Sequence, residues 1–418
     1  MVKSISFNNS TSPFRHSSPA RLWFVAYLLL IGCSFAAFGQ QRPPSAGAQH
    51  GGGRSAVAAT KARESGQLEE AITLYRQALN VQPKWSEGWW YLATLLYDRD
   101  RYEEAARAFK QAALLQPKVG SAWAMLGLCE FQLGHYDDAL MHIRQGRRIG
   151  FVENPELSRV MRFHESAVLI LKGEFETAQN TLSTLSSEGL NNEGLIIAHG
   201  LAVLRIPVLP KQVNAAYRDR EMIRRSGWAA HLHAQKNLAE AQQEYERLAT
   251  DFPKTPNVQY AYARFLTANR EDEKAITAFQ REIENSPNHA LARFQIAYIK
   301  LRNKQAAEGV ELAEQAVKLH PRLALGRYLF GRLLFDVNQN ERAIAELEAA
   351  RGMTPNDARI HFALARAYAR ANRKIDADKA RETFTRLNRL TEEAAARGVN
   401  QASAIEESPA ADAKPQSP

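Results

Sequence analysis

Between Phe252 and Pro355 apolar residues return at steps of three and four, then pause, then return again. In NVQYAYARFLTANR the residues Val258, Ala261, Tyr262 and Phe265 fall on one face of a helix. In DEKAITAFQREIENSP the same holds for Ala275, Ile276, Phe279 and Ile283, and the polar stretch NRED separates the two runs. Pro287 ends the second run, because proline lacks an amide hydrogen and restricts the residue before it. Proline recurs 34 residues apart at Pro253, Pro287, Pro321 and Pro355; small residues keep the same interval at Ala241, Ala275, Gly309, Ala343 and Ala377. A fixed period of this length predicts helix–turn–helix units stacked into a solenoid. Each short amphipathic helix is marginal alone and gains its stability from the hairpin mate and the next unit.

The positions within the period carry a more specific pattern. Trp89, Leu92, Ala93, Ala105, Phe109, Ala112 and Pro117 form one set, Trp123, Leu126, Gly127 and Ala139 a second, and Phe330, Gly331, Ala343, Ala350 and Pro355 a third. Small residues let helix backbones approach and large ones fill the space beside them. In this register the chain resembles the tetratricopeptide-repeat family over most of its length. The resemblance implies an all-α, helical-hairpin solenoid coiled as a right-handed superhelix, here in two blocks joined by an irregular segment.

Read in order, residues 1–39 are expected to be a signal peptide or membrane anchor. Lys3, Arg15 and Arg21 precede the apolar run LWFVAYLLLIGCSFAAF. Three fates are open: cleavage after Gly39, lipidation at Cys33 in the sequence LIGC, or retention as an anchor. Residues 40–53, rich in proline and glycine, read as a flexible linker. An N-terminal repeat block is expected over 54–190, with an insertion near RRIGFVENPEL. Over 191–221 the period breaks, and IPVLPKQ interrupts the helical stripes. This is either an irregular joint or a degenerate repeat with a loop. A C-terminal block is expected over 222–391, ending in a more polar helix as a terminal unit should. The Ala-, Glu-, Ser- and Pro-rich residues 392–418 read as a disordered tail.

Composition adds little that changes this picture. The net charge of +9 over 418 residues makes acidic partners plausible without establishing nucleic-acid binding. Of two cysteines, Cys129 falls on an apolar helix position and reads as a packed free thiol. Eleven histidines form no metal-binding spacing: His231 and His233 are two apart, and His164-Glu165 lacks the second histidine of a zincin helix. Neither a phosphate-binding loop nor a nucleophile elbow appears. No cofactor, metal or enzymatic activity is expected. Arg218, Arg220, Arg224 and Arg225 read as a solvated helix face.

The resemblance also implies that the first helix of each unit lines a concave groove. Its fifth position holds Trp90, Tyr260, Phe294, Tyr328 and Phe362, and four residues later stand Thr94, Arg264, Tyr298, Arg332 and Arg366. A spacing of four puts each pair on one helix face. The groove is therefore expected to present aromatic and arginine side chains to an extended or acidic protein segment; the competing reading is that the rings pack against the neighbouring first helix. Thr94, Ala124 and Leu128 do not supply the carboxylate clamp of the chaperone-binding subclass. The expected role is a non-enzymatic interaction scaffold of the bacterial cell envelope, exported to the periplasm or anchored facing it. The alternative is an accessory subunit of a polysaccharide-processing enzyme that contacts glycan through the aromatic ladder.

Overall fold

The computed structural model describes residues 52–151 and 154–396, and every regular element among them is helical. The expected signal or anchor, Cys33, most of the 40–53 linker and the tail beyond Ala396 lie outside the described residues. The chain divides into two compact units, Met1–Leu185 and Ser186–Pro418.

In unit 1, α1 (Gly52–Glu64) pairs with α2 (Leu68–Val81), α3 (Ser86–Asp98) with α4 (Tyr102–Leu115), and α5 (Gly120–Leu133) with α6 (Tyr136–Ile149). Each hairpin also packs on the next, α2 on α3 and α4 on α5. Then α7 (Pro155–Leu171) packs on α5 and α6, and α8 (Phe175–Ser187) runs across the boundary into unit 2. A continuous core runs through the hairpins and includes Tyr75, Phe109, Leu128 and Met161. Cys129 lies inside it as a free, fully buried thiol whose pKa is pushed up by burial.

In unit 2, α9 (Glu193–Val203) packs on α10 (Arg220–Ala234), with the connection carrying a short 3-10 turn at Pro210–Gln212. The segment expected to be an irregular joint is thus a helix followed by a long, partly buried loop in which Leu209 and Val213 are enclosed. Regular hairpins follow: α10 with α11 (Leu238–Asp251), α12 (Val258–Ala268) with α13 (Asp272–Asn285), α14 (Ala290–Arg302) with α15 (Ala306–Leu319), and α16 (Ala324–Asp336) with α17 (Asn340–Met353). The last pair is α18 (Ala358–Arg370) with α19 (Lys374–Ala396). The expected break at 391 falls inside α19. The first helices α14, α16 and α18 also touch in series, forming one layer.

Three devices repeat with the sequence period. The turn inside each hairpin places one residue in the left-handed region: Gly66, Asp100 and Gly134 in unit 1, and Lys236, Arg270, Lys304, Asn338 and Asn372 in unit 2. The fourth position of the first helix reaches back to the carbonyl of the proline that closes the previous unit. Trp89 Nε1 donates to Pro83 O at 2.8 Å, Trp123 Nε1 to Pro117 O at 3.2 Å, and Arg327 Nε to Pro321 O at 2.8 Å. His361 Nε2 meets Pro355 O at 2.7 Å. The small residue of the large–small pair sits where the two helices of a hairpin cross: a Cβ on Gly331 would lie 2.7 Å from Leu347 Cγ and 3.2 Å from Ala343 O.

Candidate partner groove

The five rings of the expected ladder divide into two groups. Trp90, Tyr260 and Phe294 are only 7%, 3% and 6% exposed. Trp90 packs edge-on against Phe109, and Tyr260 lies against Phe279 and His289. The Phe294 ring covers Gly326 of the next first helix, where a Cβ would lie 2.2 Å from it. These three therefore fill space between helices: Phe294 packs on the neighbouring first helix, whereas Trp90 and Tyr260 pack on the second helix of their own hairpins.

At the C-terminal end the chemistry differs. Tyr328 is half-buried, while Phe362 on α18 is 48% exposed and Tyr298 on α14 is 46% exposed. The expected i,i+4 pairs form here: Arg332 Nη1 donates to Tyr328 Oη at 3.1 Å, and the Arg366 guanidinium lies 5.9 Å from the Phe362 ring centroid. Arg366 also covers Phe335 at 4.7 Å. Neither Arg332 nor Arg366 has a carboxylate partner among the described residues, and Arg332 Nε is buried without a hydrogen-bond acceptor. Other arginines of the same unit do have one: Arg327 pairs with Glu346 at 2.7 Å. Two guanidinium groups one repeat apart are thus laid on rings rather than neutralised. Arg264 is half-buried, and its charge helps depress the His233 pKa, whose main cause is burial. Thr94 Oγ1 donates to Trp90 O on its own helix.

Arg359 belongs with this patch, though the five-and-nine register passed over it. It stands three residues before Phe362, so it shares that helix face, and its guanidinium lies 5.8 Å from the Tyr328 ring of the preceding unit. Asp357 holds it through two hydrogen bonds of 3.0 and 2.7 Å.

The arginine cluster of α10 is mostly paired. Arg220 binds Glu193, Arg224 binds Glu221, and Arg225 binds Glu244 and Asp251. Glu221, Arg224, Arg225 and Glu244 line an open cleft of about 460 Å³ with Trp228 and Arg247. Its charges are largely internal. His164 and Glu165 also have structural partners: His164 Nδ1 meets Val160 O, and the buried Glu165 carboxylate accepts from Arg144 and Arg147. Among the described residues no group of three or more His, Cys, Asp or Glu side chains could hold a metal ion, and no helix is long and apolar enough to cross a membrane.

Comparison with known proteins bears on the whole chain. A tetratricopeptide-repeat family model matches residues 57–113, 92–146, 228–290 and 328–395, more than half of the sequence. The anaphase-promoting complex subunit 3 of Schizosaccharomyces pombe is 27% identical over 142 residues, which are 32% of this chain and 21% of that protein, so the chain spans about a fifth of that relative's length. Among solved structures, MamA (residues 41 to the end) from Desulfovibrio magneticus RS-1 aligns with 22% identity and a TM-score of 0.37 over 41% of this chain and 96% of that one. YrrB, described as a TPR protein with an unusual peptide-binding site, aligns with 14% identity and a TM-score of 0.37 over 42% and 93%. The repeated match at the register of the hairpins places this all-α solenoid chain in the tetratricopeptide-repeat family.

Proposed function

We propose that the chain is an interaction scaffold whose C-terminal repeats hold an extended, acidic segment of a protein partner. The carrying observation is the pair Arg332 and Arg366, which lie on aromatic rings beside the exposed Phe362 and have no carboxylate partner among the described residues. Guanidinium groups held in this way offer preorganised donors to carboxylates, and exposed rings supply contact area at low entropic cost. Interaction scaffolding is the family's general use of this fold, and the wording for YrrB names peptide binding in that protein.

The site is narrower than the full ladder. Tyr298, Tyr328, Arg332, Arg359, Phe362 and Arg366 remain as contact candidates, whereas Trp90, Tyr260 and Phe294 support the helices that carry them. The glycan-contacting alternative draws nothing from this geometry, because three of its five rings are enclosed. Export to a bacterial envelope rests on the basic leader and apolar run of the first 39 residues, and a topology reporter fused after residue 54 would test it: reporter activity confined to the cytoplasm would refute export.

The binding proposal is tested by crosslinking capture from envelope extracts with the wild type and an Arg332→Ala/Arg366→Ala variant side by side. Both should show the same helical circular dichroism, and the variant should lose a partner that the wild type retains, with affinity reduced about tenfold or more. Equal capture by the two proteins would return these arginines to a packing role.

A further inference from the structure

The crossing of α9 and α10 is built from bare backbone. A Cβ on Gly200 would lie 1.9 Å from Ile223 O, and one on Gly227 would lie 1.8 Å from Ile196 O. Neither helix can shift toward the other, and the side chains flanking the crossing have little room to rearrange.

Two of those flanking side chains are histidines. His199 immediately precedes Gly200 on α9, and His231 stands one turn after Gly227 on α10. Both rings meet a single hydroxyl from α8: Ser186 Oγ lies 2.8 Å from His199 Nε2 and 2.8 Å from His231 Nδ1. His199 and His231 are 0% exposed and Ser186 is 1% exposed. Trp228 stacks on the His231 ring with centroids 5.4 Å apart, and His231 Nε2 is buried without a hydrogen-bond partner.

A serine hydroxyl can donate one hydrogen bond and accept others. It therefore serves two neutral imidazoles well, donating to the lone pair of one and accepting the N–H of the other. Protonating the ring that accepts from Ser186 removes that match, because both rings would then donate to one oxygen. Where His231 is instead the donating ring, its protonation places an N–H at Nε2, where no acceptor stands; in either arrangement a cationic His231 buries a charge in apolar surroundings.

At His231 no charged neighbour offsets this. The His231 pKa is lowered by burial, with no charged neighbour contributing. On α8 the residues one turn before Ser186 are Leu182 and Ser183. The acid of α9, Glu193, is committed to Arg220. On α10 and α11, Glu221 binds Arg224, and Glu244 and Asp251 bind Arg225. The 3-10 turn packed on α9 brings Lys211, which is basic.

We infer that the His199–Ser186–His231 cluster makes the α9–α10 crossing an acid-sensitive latch, closed while the His231 imidazole is neutral and opened by its protonation. The consequence is regulatory. At the head of unit 2, acidification loosens α9 against α10 before the regular hairpins open.

The test is amide hydrogen exchange on the full chain at about pH 7 and about pH 5, corrected for intrinsic rates. Each imidazole held neutral in the fold can raise the opening constant by up to about 30-fold over that interval. Protection across Leu195–Val203 and Met222–Leu232 should fall at least about tenfold more than across Leu329–Phe335 of α16. In a His199→Gln/His231→Asn variant, which keeps amide groups for Ser186 without a titrating ring, that excess should vanish. His233 and His289 are present in both proteins, so their own acid response cancels. Equal loss of protection in α9–α10 and α16, or an unchanged excess in the variant, overturns the latch. Should the variant not fold, the imidazole carbon and proton resonances of the wild type decide. Rings that stay neutral until α9–α10 exchange opens support the latch, and titration near the ordinary value of about 6.5 with protection intact overturns it.

Discussion

At the scale of single residues, unit 2 relies on polar side chains to finish helices that its sequence leaves uncapped. Glu282 is fully buried on α13, yet its Oε1 accepts from Asn257 N at 2.9 Å and its Oε2 from Tyr260 N at 3.1 Å, which closes the start of α12. Burial raises its pKa despite those donors. Glu282→Ala should cost about 2 kcal/mol, because it strands two buried amides; an unchanged denaturation midpoint would show that water replaces the carboxylate. His289 works as a second such cap: Nδ1 accepts from Ala292 N at 3.0 Å while Nε2 faces Asn257 Oδ1 at 3.0 Å. Its pKa is lowered to about 4, first by burial and then by Arg205. For a base whose folded pKa lies below its unfolded value, stability is complete above the unfolded pKa and declines as pH falls. The His289 contribution should therefore be lost between about pH 6.5 and pH 4, and His289→Asn should flatten the midpoint-versus-pH curve in that window. Lys304 occupies the left-handed turn position, φ 61°, that Gly66 and Gly134 fill elsewhere in the same register. Lys304→Gly should add about 1 kcal/mol, read as a raised melting temperature, since glycine takes that conformation without a Cβ clash.

At the scale of elements, stability depends on how closely a hairpin's two helices approach. Gly331 sets that distance for α16 and α17, with Leu347 Cγ and Ala343 O at the edge of the space a Cβ would need. Gly331→Leu should force the helices apart and cost about 3 kcal/mol by overpacking. Such contacts were legible in the sequence, because a small residue returned at a fixed place in the period. The fate of the aromatic positions was not. Trp90, Phe294 and Phe362 share one register, but Phe294 is enclosed because Gly326 leaves room for it on the next first helix. Phe362 is on the last first helix, packs on Phe384 of its own hairpin at 5.2 Å and stays half in solvent.

At the scale of the whole molecule, a solenoid's energy is close to a sum over neighbouring repeats. A lesion in one unit should therefore remain local. Trp85, Trp89, Trp90 and Trp123 all belong to unit 1, whereas Gly331 belongs to unit 2. In denaturant, Gly331→Leu should lower the midpoint of the helical circular dichroism and leave the tryptophan fluorescence transition of the unit 1 rings in place. An equal shift in both signals would mean that the chain unfolds as a single cooperative body.

The sequence by itself determined the repeat: apolar stripes at helical spacing, prolines and small residues 34 apart, and hence the hairpin solenoid and its family. These are properties of local periodicity, which a chain carries wherever it folds. Only the tertiary structure decided which rings are enclosed, which arginines lack a carboxylate among the described residues, and how the break in the period is resolved. Ser186, His199 and His231 are separated along the chain by 13 and 32 residues without any shared motif, and they meet because Gly200 and Gly227 let two backbones touch. Exposure, pairing and such crossings depend on what the neighbouring helix brings to the same place, and periodicity along one chain does not encode that.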